Sequence, residues 1–432
     1  EETLDTYLPG PISSRDLDRY ARQLGLSKEM QPILSSMHED YHDGFEQLQE
    51  TRINDVREKS RSLYAIDPDT NEVSSPSRGD IEQLYSLRRS ALDAIKALDN
   101  TFFEDVETIL PDDSDSSSNM QRIRFARQRD IYSRGRDTGG FRMFGGRGGG
   151  VGSRVMSFTI GGGGGSSENV VDLSDLVDEL QFESEELKLI DAQLSEYETD
   201  MTAQFQDAFK TSMRFNEAMD AMRAESTVVT QGGSRRESRM GGGEMREIMQ
   251  TDGRRRGEIS QAITSLNRST LDELERLLSA NSMMLLRDAY NRRSFPDIFN
   301  DSGSAKAAID ATYNLPDLAP HQQSQLDDIA TEFRSGYDQL NQQMVDRKLS
   351  ESLEQTRGER GGRGGRGGGG FDFSAMQERQ RAMEKLRFER KDLSDKTRNR
   401  IKGFLTEDQK TRLADLLDPK AGESGNVFRI GG

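Results

Sequence analysis

His38-Glu39-Asp40-Tyr41-His42 is the stretch whose residue types and spacing could do chemistry. In the H-E-x-x-H pattern two imidazoles one helical turn apart bind zinc and the glutamate serves as general base. Three features weigh against that reading. Asp40 puts a charge where such helices carry uncharged residues, no third ligand follows, and His321 is the only other histidine in the chain. Equivalent positions elsewhere are Leu194, Ser195 and Glu198, and Ala330, Thr331 and Arg334. His38 and His42 therefore stand only as a candidate for an incidental surface metal site. The sequence contains no G-x-S-x-G elbow or Walker loop, and no dinucleotide fingerprint set between a strand and a helix. With three histidines and no cysteine, the expectation is a protein that is not an enzyme and needs no cofactor.

Those equivalences come from a pattern that recurs along the chain. Leu26-Ser27-Lys28-Glu29-Met30 leads to Tyr41, Phe45 and Leu48, and Leu318-Ala319-Pro320-His321-Gln322 leads to Phe333, Tyr337 and Leu340 without a gap. A degenerate copy runs from Phe182 through Leu189 and Ile190 to Tyr197. Recurrence at this period marks repeated helical units. A return half follows when Leu110, Leu278 and Leu417 are aligned, with capping-type residues at Leu98–Thr101, Leu266–Ser269 and Leu405–Gln409 that read as interruptions of the returning helix. The expected fold is all-α, three tandem long-helix hairpins with broken return arms joined by Gly/Arg-rich loops. The boundaries expected are 1–134, a linker at 135–173, 174–300 with a glycine-rich loop at 231–243, 301–421 with an Arg-Gly loop at 357–371, and a tail at 422–432. The hairpin core is expected at Leu26, Tyr41, Phe45, Leu48, Tyr197, Leu318, Phe333, Tyr337, Leu340, Leu405 and Leu413.

Composition agrees with helices that bury one stripe each. Hydrophobic residues make up 32% of the 432 residues and mean hydropathy is −0.81, which argues against one large globular core. A formal net charge of −17 disfavours nucleic acid and anionic membranes as partners of the body. No stretch has the apolar length of a transmembrane helix. The chain starts at Glu1 rather than Met, which suits an exported protein trimmed of a signal peptide as well as a cloning boundary.

Glycine tracts separate the arms, and arginines punctuate them. Arg147, Arg360, Arg363 and Arg366 lie in such tracts, and the C-terminus reads Phe428-Arg429-Ile430-Gly431-Gly432. Glycine loses the most backbone entropy on ordering, so the default reading is a flexible connector. RGG runs elsewhere bind RNA by charge and stacking, but here they are short and hang from an anionic body, so nucleic acid is not the expected partner. The alternative is that Arg147, Arg360, Arg363, Arg366, Phe428 and Ile430 contact neighbouring copies of the chain.

Leu405-Thr406-Glu407-Asp408-Gln409 matches the LTxxQ signature of the Spy/CpxP group of small periplasmic helical proteins, and Leu318–Gln322 and Leu26–Met30 are worn versions of it. The chain resembles that group in tandem form, with the difference that it is acidic and carries glycine-rich insertions. The resemblance implies a long-helix hairpin, a periplasmic or cell-surface location, and work done by holding client or partner proteins. Triplication and the Arg-Gly tracts point to an alternative, a self-assembling subunit of a filament, coat or scaffold. Both readings imply protein partners, and both leave room for a homo-oligomer.

Overall fold

A computed structural model describes residues 7–63, 76–111, 114–133, 158–159, 169–227, 242–299, 303–361 and 373–418. The chain is all-α and divides into two compact units, Glu1–Gly164 with Val170–Arg287, and Gly165–Asn169 with Asp288–Gly432. The first contains α1 (Ser14–Gln23), α2 (Gln31–Leu48), a π-helical turn (Gln49–Ile53), α3 (Asn54–Leu63), α4 (Arg78–Glu107), α5 (Ser114–Ser133), α6 (Leu173–Leu180), α7 (Ser184–Thr227) and α8 (Gly242–Leu274). The boundary between the units falls within α9 (Ala280–Ser294). The second contains α10 (Pro296–Phe299), α11 (Lys306–Tyr313), α12 (Pro320–Gly361), α13 (Phe373–Phe404), α14 (Glu407–Arg412) and α15 (Ala414–Leu417). Two-residue strands β1 (Phe158–Thr159) and β2 (Asn169–Val170) are the only β structure among the described residues.

The order short helix, long arm, long return arm, short helix occurs as α1–α5, as α6–α9 and as α11–α15. Within it α2 packs on α4, α7 on α8 and α12 on α13. The return arms are interrupted, in the third repeat at the expected Leu405–Gln409, where Thr406 caps α14, and in the other two at places other than those the capping residues suggest. α4 runs unbroken through Leu98–Thr101 and α8 through Leu266–Ser269. There Thr101 Oγ1 donates to the Ala97 carbonyl at 3.2 Å and Ser269 Oγ to that of Leu266 at 3.0 Å. A hydroxyl can bond back into its own helix as readily as it caps a new one. In these two arms the chain leaves the helix instead after Glu107 and after Leu274.

Close packing fixes the register between repeats. A Cβ on Gly44 would lie 2.9 Å from a Leu98 methyl, and one on Gly336 would lie 3.1 Å from a Leu393 methyl. Leu98 and Leu393 are therefore counterparts, and twelve residues further Leu110 corresponds to Leu405, not to Leu417. The apolar period of α13–α15 fits either register, and only the glycine contact separates them.

Caps agree with composition at three starts. Ser13 with Asp16, Ser77 with Asp80, and Thr406 with Gln409 form capping boxes at α1, α4 and α14. Inside the first unit, Tyr41 donates to Asp99 Oδ1 at 2.7 Å and accepts from the Ile12 amide at 3.2 Å. Arg127 Nε donates to Asp99 Oδ2 at 2.8 Å, and its Nη2 reaches the Gly10 carbonyl at 2.9 Å. Tyr197 repeats the arrangement without a charge. It donates to Asn267 Oδ1 at 2.8 Å and accepts from Leu173 N–H at 2.9 Å, while Asn267 Nδ2 donates to the Val171 carbonyl at 2.9 Å. Each tyrosine ties the segment entering a short helix to the return arm.

In the second unit Phe333 takes the tyrosine position, and the core around it is apolar: Ala305, Ala308, Ile309, Leu326, Ile329, Ile401 and Leu405. Replacing Tyr41 or Tyr197 by Phe leaves a buried amide and a buried Asp or Asn short of a partner, which should cost about 1–3 kcal/mol. Truncating Tyr41 or Phe333 to Ala should cost about 3–5 kcal/mol. Urea titrations followed by circular dichroism test both, and a loss near zero in the Ala variants would contradict these burials.

Candidate functional site

The H-E-x-x-H stretch lies on α2, and its spacing brings the His38 and His42 rings to 4.6 Å, edge to face. His38 is buried, with Nε2 2.9 Å from the Ile12 carbonyl. Burial lowers its pKa below the usual 6.5, against the opposing pull of that carbonyl. Among the described residues no group of three or more His, Asp or Glu gathers that could hold a metal ion. A surface groove beside the π-helical turn has a polar lining that includes Glu46, Glu50, Asn54, Arg57, Glu58 and Arg61.

A second polar constellation is buried in the C-terminal unit, and it joins two motif copies 87 residues apart. Gln322 Oε1 accepts from Ala319 N–H at 2.9 Å, and Gln322 Nε2 donates to the Phe404 carbonyl at 2.8 Å. Gln409 Oε1 accepts from Thr406 N–H at 3.0 Å, and Gln409 Nε2 donates to the Asp317 carbonyl at 3.1 Å. The two amides also meet, Gln322 Nε2 to Gln409 Oε1 at 3.0 Å. Each glutamine closes the cap of its own helix and satisfies the carbonyl just before the other motif's leucine. An amide carries a donor and an acceptor on one rigid group, which a carboxylate or a hydroxyl alone cannot supply in that geometry.

The middle repeat holds a worn counterpart. Glu186, four residues after Phe182 as Gln322 is after Leu318, accepts from Ser279 N–H at 3.2 Å and from Ser282 Oγ at 2.8 Å. Hydrogen bonds from Ser279 and then Ser282 hold its pKa below the ordinary glutamate value. Ser279 and Ser282 occupy the places of Thr406 and Gln409 in the register set by Leu278 and Leu405. Nearby in the same unit, Arg129 on α5 pairs with Asp172 at 2.6 Å and donates to Thr202 Oγ1 at 3.2 Å. Arg122 pairs with the buried Glu198 at 3.3 Å, whose pKa burial pushes up.

Of the residues expected in the hairpin core, Tyr41, Phe45, Tyr197, Phe333, Leu405 and Leu413 are buried, and Leu26, Leu48, Leu318, Tyr337 and Leu340 are half-buried. Leu318 and Tyr337 pack against the C-terminal core. Arg147, Arg363, Arg366, Phe428 and Ile430 lie outside the described residues, and Arg360 sits in the last turn of α12. The glutamine pair and the tyrosine partners Asp99 and Asn267 went unread in the sequence. A glutamine at the fifth position of both motif copies was the available signal.

Fold and site together define an all-α protein in which the constellation of interest locks two helix starts together and lacks any nucleophile, acid–base pair or ligand set. Residues 308–417 match the model described as LTXXQ motif family protein. The match runs from Ala308 in α11 to Leu417 at the end of α15, the whole third repeat after its entry segment. No curated protein and no solved structure matches the chain. The family match accords with a non-catalytic, protein-binding role.

Two outcomes follow from these geometries. Gln322→Ala and Gln409→Ala should each destabilise the C-terminal unit by about 1–3 kcal/mol because each strands buried polar groups. The pair should be coupled by about 0.5–3 kcal/mol in a double-mutant cycle, read by hydrogen exchange in α12 and α13; additive losses would mean the amides do not act as one device. For His38 the folded pKa is depressed, so the unfolded chain takes up the proton first on acidification. The urea midpoint of the N-terminal unit should therefore fall as pH drops below about 6.5 and stay level above it, with the slope reduced in His38→Asn; a midpoint that rises on acidification would reverse the assignment.

Proposed function

We propose that the protein is an exported, non-catalytic, Spy-like binding protein that holds client or partner proteins on the outer faces of its helical hairpins, in a periplasm or at a cell surface. What supports this is the glutamine lock itself. It ties the start of the outgoing arm α12 to the end of the return arm α13 and the start of α14 from inside the C-terminal unit, so it makes no use of the outer faces of these helices. Isolated apolar side chains stand among charges on the helices: Phe388 on α13 is 72% exposed, Met284 on α9 61% and Leu189 on α7 58%. Single exposed apolar residues are ordinary on a monomer. Spaced along charged helices, they suit loose, reversible contact with unfolded segments. No helix of the described residues is long and apolar enough to cross a membrane.

A second reading, self-assembly, draws support from the way charge is divided. Residues 288–432 contain 24 Lys and Arg and 24 Asp and Glu, so the entire net charge of −17 belongs to residues 1–287. The anionic segments of two copies therefore repel each other, and the neutral C-terminal segment is the part of one copy that can approach the anionic part of the next without net repulsion.

Client holding is tested by following the scattering of a reduced, aggregating model protein with and without the purified chain. Equimolar chain should slow the rise, and Phe388→Ser should weaken that effect without loss of helicity. An unchanged scattering curve across a tenfold excess of chain would rule out the client-binding reading.

A further inference from the structure

On the outer face of α13 and the outer face of α2, charge of opposite sign coincides with an exposed apolar residue. α13 carries ten Lys and Arg against five Asp and Glu. Arg381, Lys385, Phe388, Lys391 and Lys396 are all exposed on it, and Phe388 is the most exposed of the large hydrophobic residues described. The cations of this helix are partly matched within it, Lys385 to Glu389 at 3.8 Å, Lys391 to Asp395 at 2.8 Å and Lys396 to Asp392 at 2.6 Å. Arg387, Arg400 and Lys402 pair in addition with Asp297, Glu332 and Asp418 from outside the helix, which leaves a smaller cationic excess, and exposed pairs of this kind are weak and exchange partners easily.

α2 is the complement. It carries Glu39, Asp40, Asp43 and Glu46 and no Lys or Arg. All four are exposed, and among the described residues none of them forms an ion pair. Glu39 with Asp43, and Asp43 with Asp40 and Glu46, stand at the three- and four-residue spacings where like charges disfavour a helix. On the same helix Ile33 is 44% exposed. The face thus bears an uncompensated acidic stripe with an apolar residue at one end.

We infer that the α13 face of one copy docks on the α2 face of a second copy, Arg381, Lys385 and Lys391 against Glu39, Asp40, Asp43 and Glu46, with Phe388 supplying the apolar contact. A second copy is the occupant because every copy carries both faces, α13 with ten Lys and Arg against five Asp and Glu and α2 with four carboxylates and no Lys or Arg. Contact between two different surfaces is heterologous, so the product is a ring or an open chain of copies rather than a self-complementary dimer. This inference rests on the self-assembly reading, and because it buries Phe388 between copies it competes with client holding at that side chain. It also assigns the contact to folded helix faces rather than to the Arg-Gly tracts.

The test is sedimentation velocity of the full chain at about 50 mM and about 500 mM NaCl, a range over which screening removes contacts between exposed charges. Species larger than one chain should form at low salt and dissociate at high salt. Lys385→Glu with Lys391→Glu should abolish them, as should Glu39→Lys with Asp43→Lys. Combining all four substitutions in one chain should restore assembly, because the charges are exchanged rather than lost. Unchanged circular dichroism excludes misfolding at these exposed positions. A single-chain mass under all conditions would overturn both the inference and the self-assembly reading. Assembly that ignores the reversals, or is lost only when residues 362–371 are deleted, would overturn the inference and leave that reading standing.

Discussion

Two buried glutamine side chains hold the C-terminal unit in its shape. Gln322 and Gln409 are 4% and 1% exposed, yet their amides answer two helix-start N–H groups and two chain carbonyls that would otherwise be stranded. Such stranding costs about 1–3 kcal/mol per group, so the demand for satisfaction fixes where both helices begin and how they face each other. The middle repeat illustrates the constraint by relaxing it. Glu186 is acceptor-only when ionised, so it can take the Ser279 amide and the Ser282 hydroxyl but has no proton to give to a carbonyl across the joint. The lock becomes a one-sided clasp nearer solvent.

A similar logic governs the aromatic position. A tyrosine in the core brings a hydroxyl that must be met, and both tyrosine repeats meet it with a residue eleven before the break leucine, Asp99 or Asn267. Where that residue is an aspartate, Arg127 comes with it, and the buried pair becomes costly to break from either side. Phe333 removes the demand altogether. The counterpart of Asp99 is then Ser394, fully buried and with a hydroxyl that has no hydrogen-bond partner.

Much of this was legible because helical patterning and aromatic spacing are local. The aromatics at 41, 197 and 333 could be placed in cores from periodicity, and the Thr406–Gln409 cap from four consecutive residues. What lay hidden was non-local. The lock joins residues 87 apart, and neither motif alone reveals that its glutamine has a second task. Asp99 and Asn267 looked like caps because their neighbours Thr101 and Ser269 are cap-forming types, although those hydroxyls bond back into continuous helices. The register of the third return arm turned on Gly336 admitting Leu393, a packing fact that hydrophobic spacing cannot express.

The uneven survival of the lock follows from what else holds each hairpin. In the N-terminal unit two repeats pack together: α4 and α5 lie against α7, with Arg122 and Arg129 reaching Glu198 and Asp172, Arg89 pairing with Glu217 at 2.9 Å and Tyr85 donating to Asp220 at 3.0 Å. These contacts from a neighbour restrain the arms from outside. Internal locking is then dispensable, and the motif positions are free to drift to Met30, Glu186 and Ser282. The third repeat forms most of a compact unit of its own, and it is there that both motif copies carry glutamine.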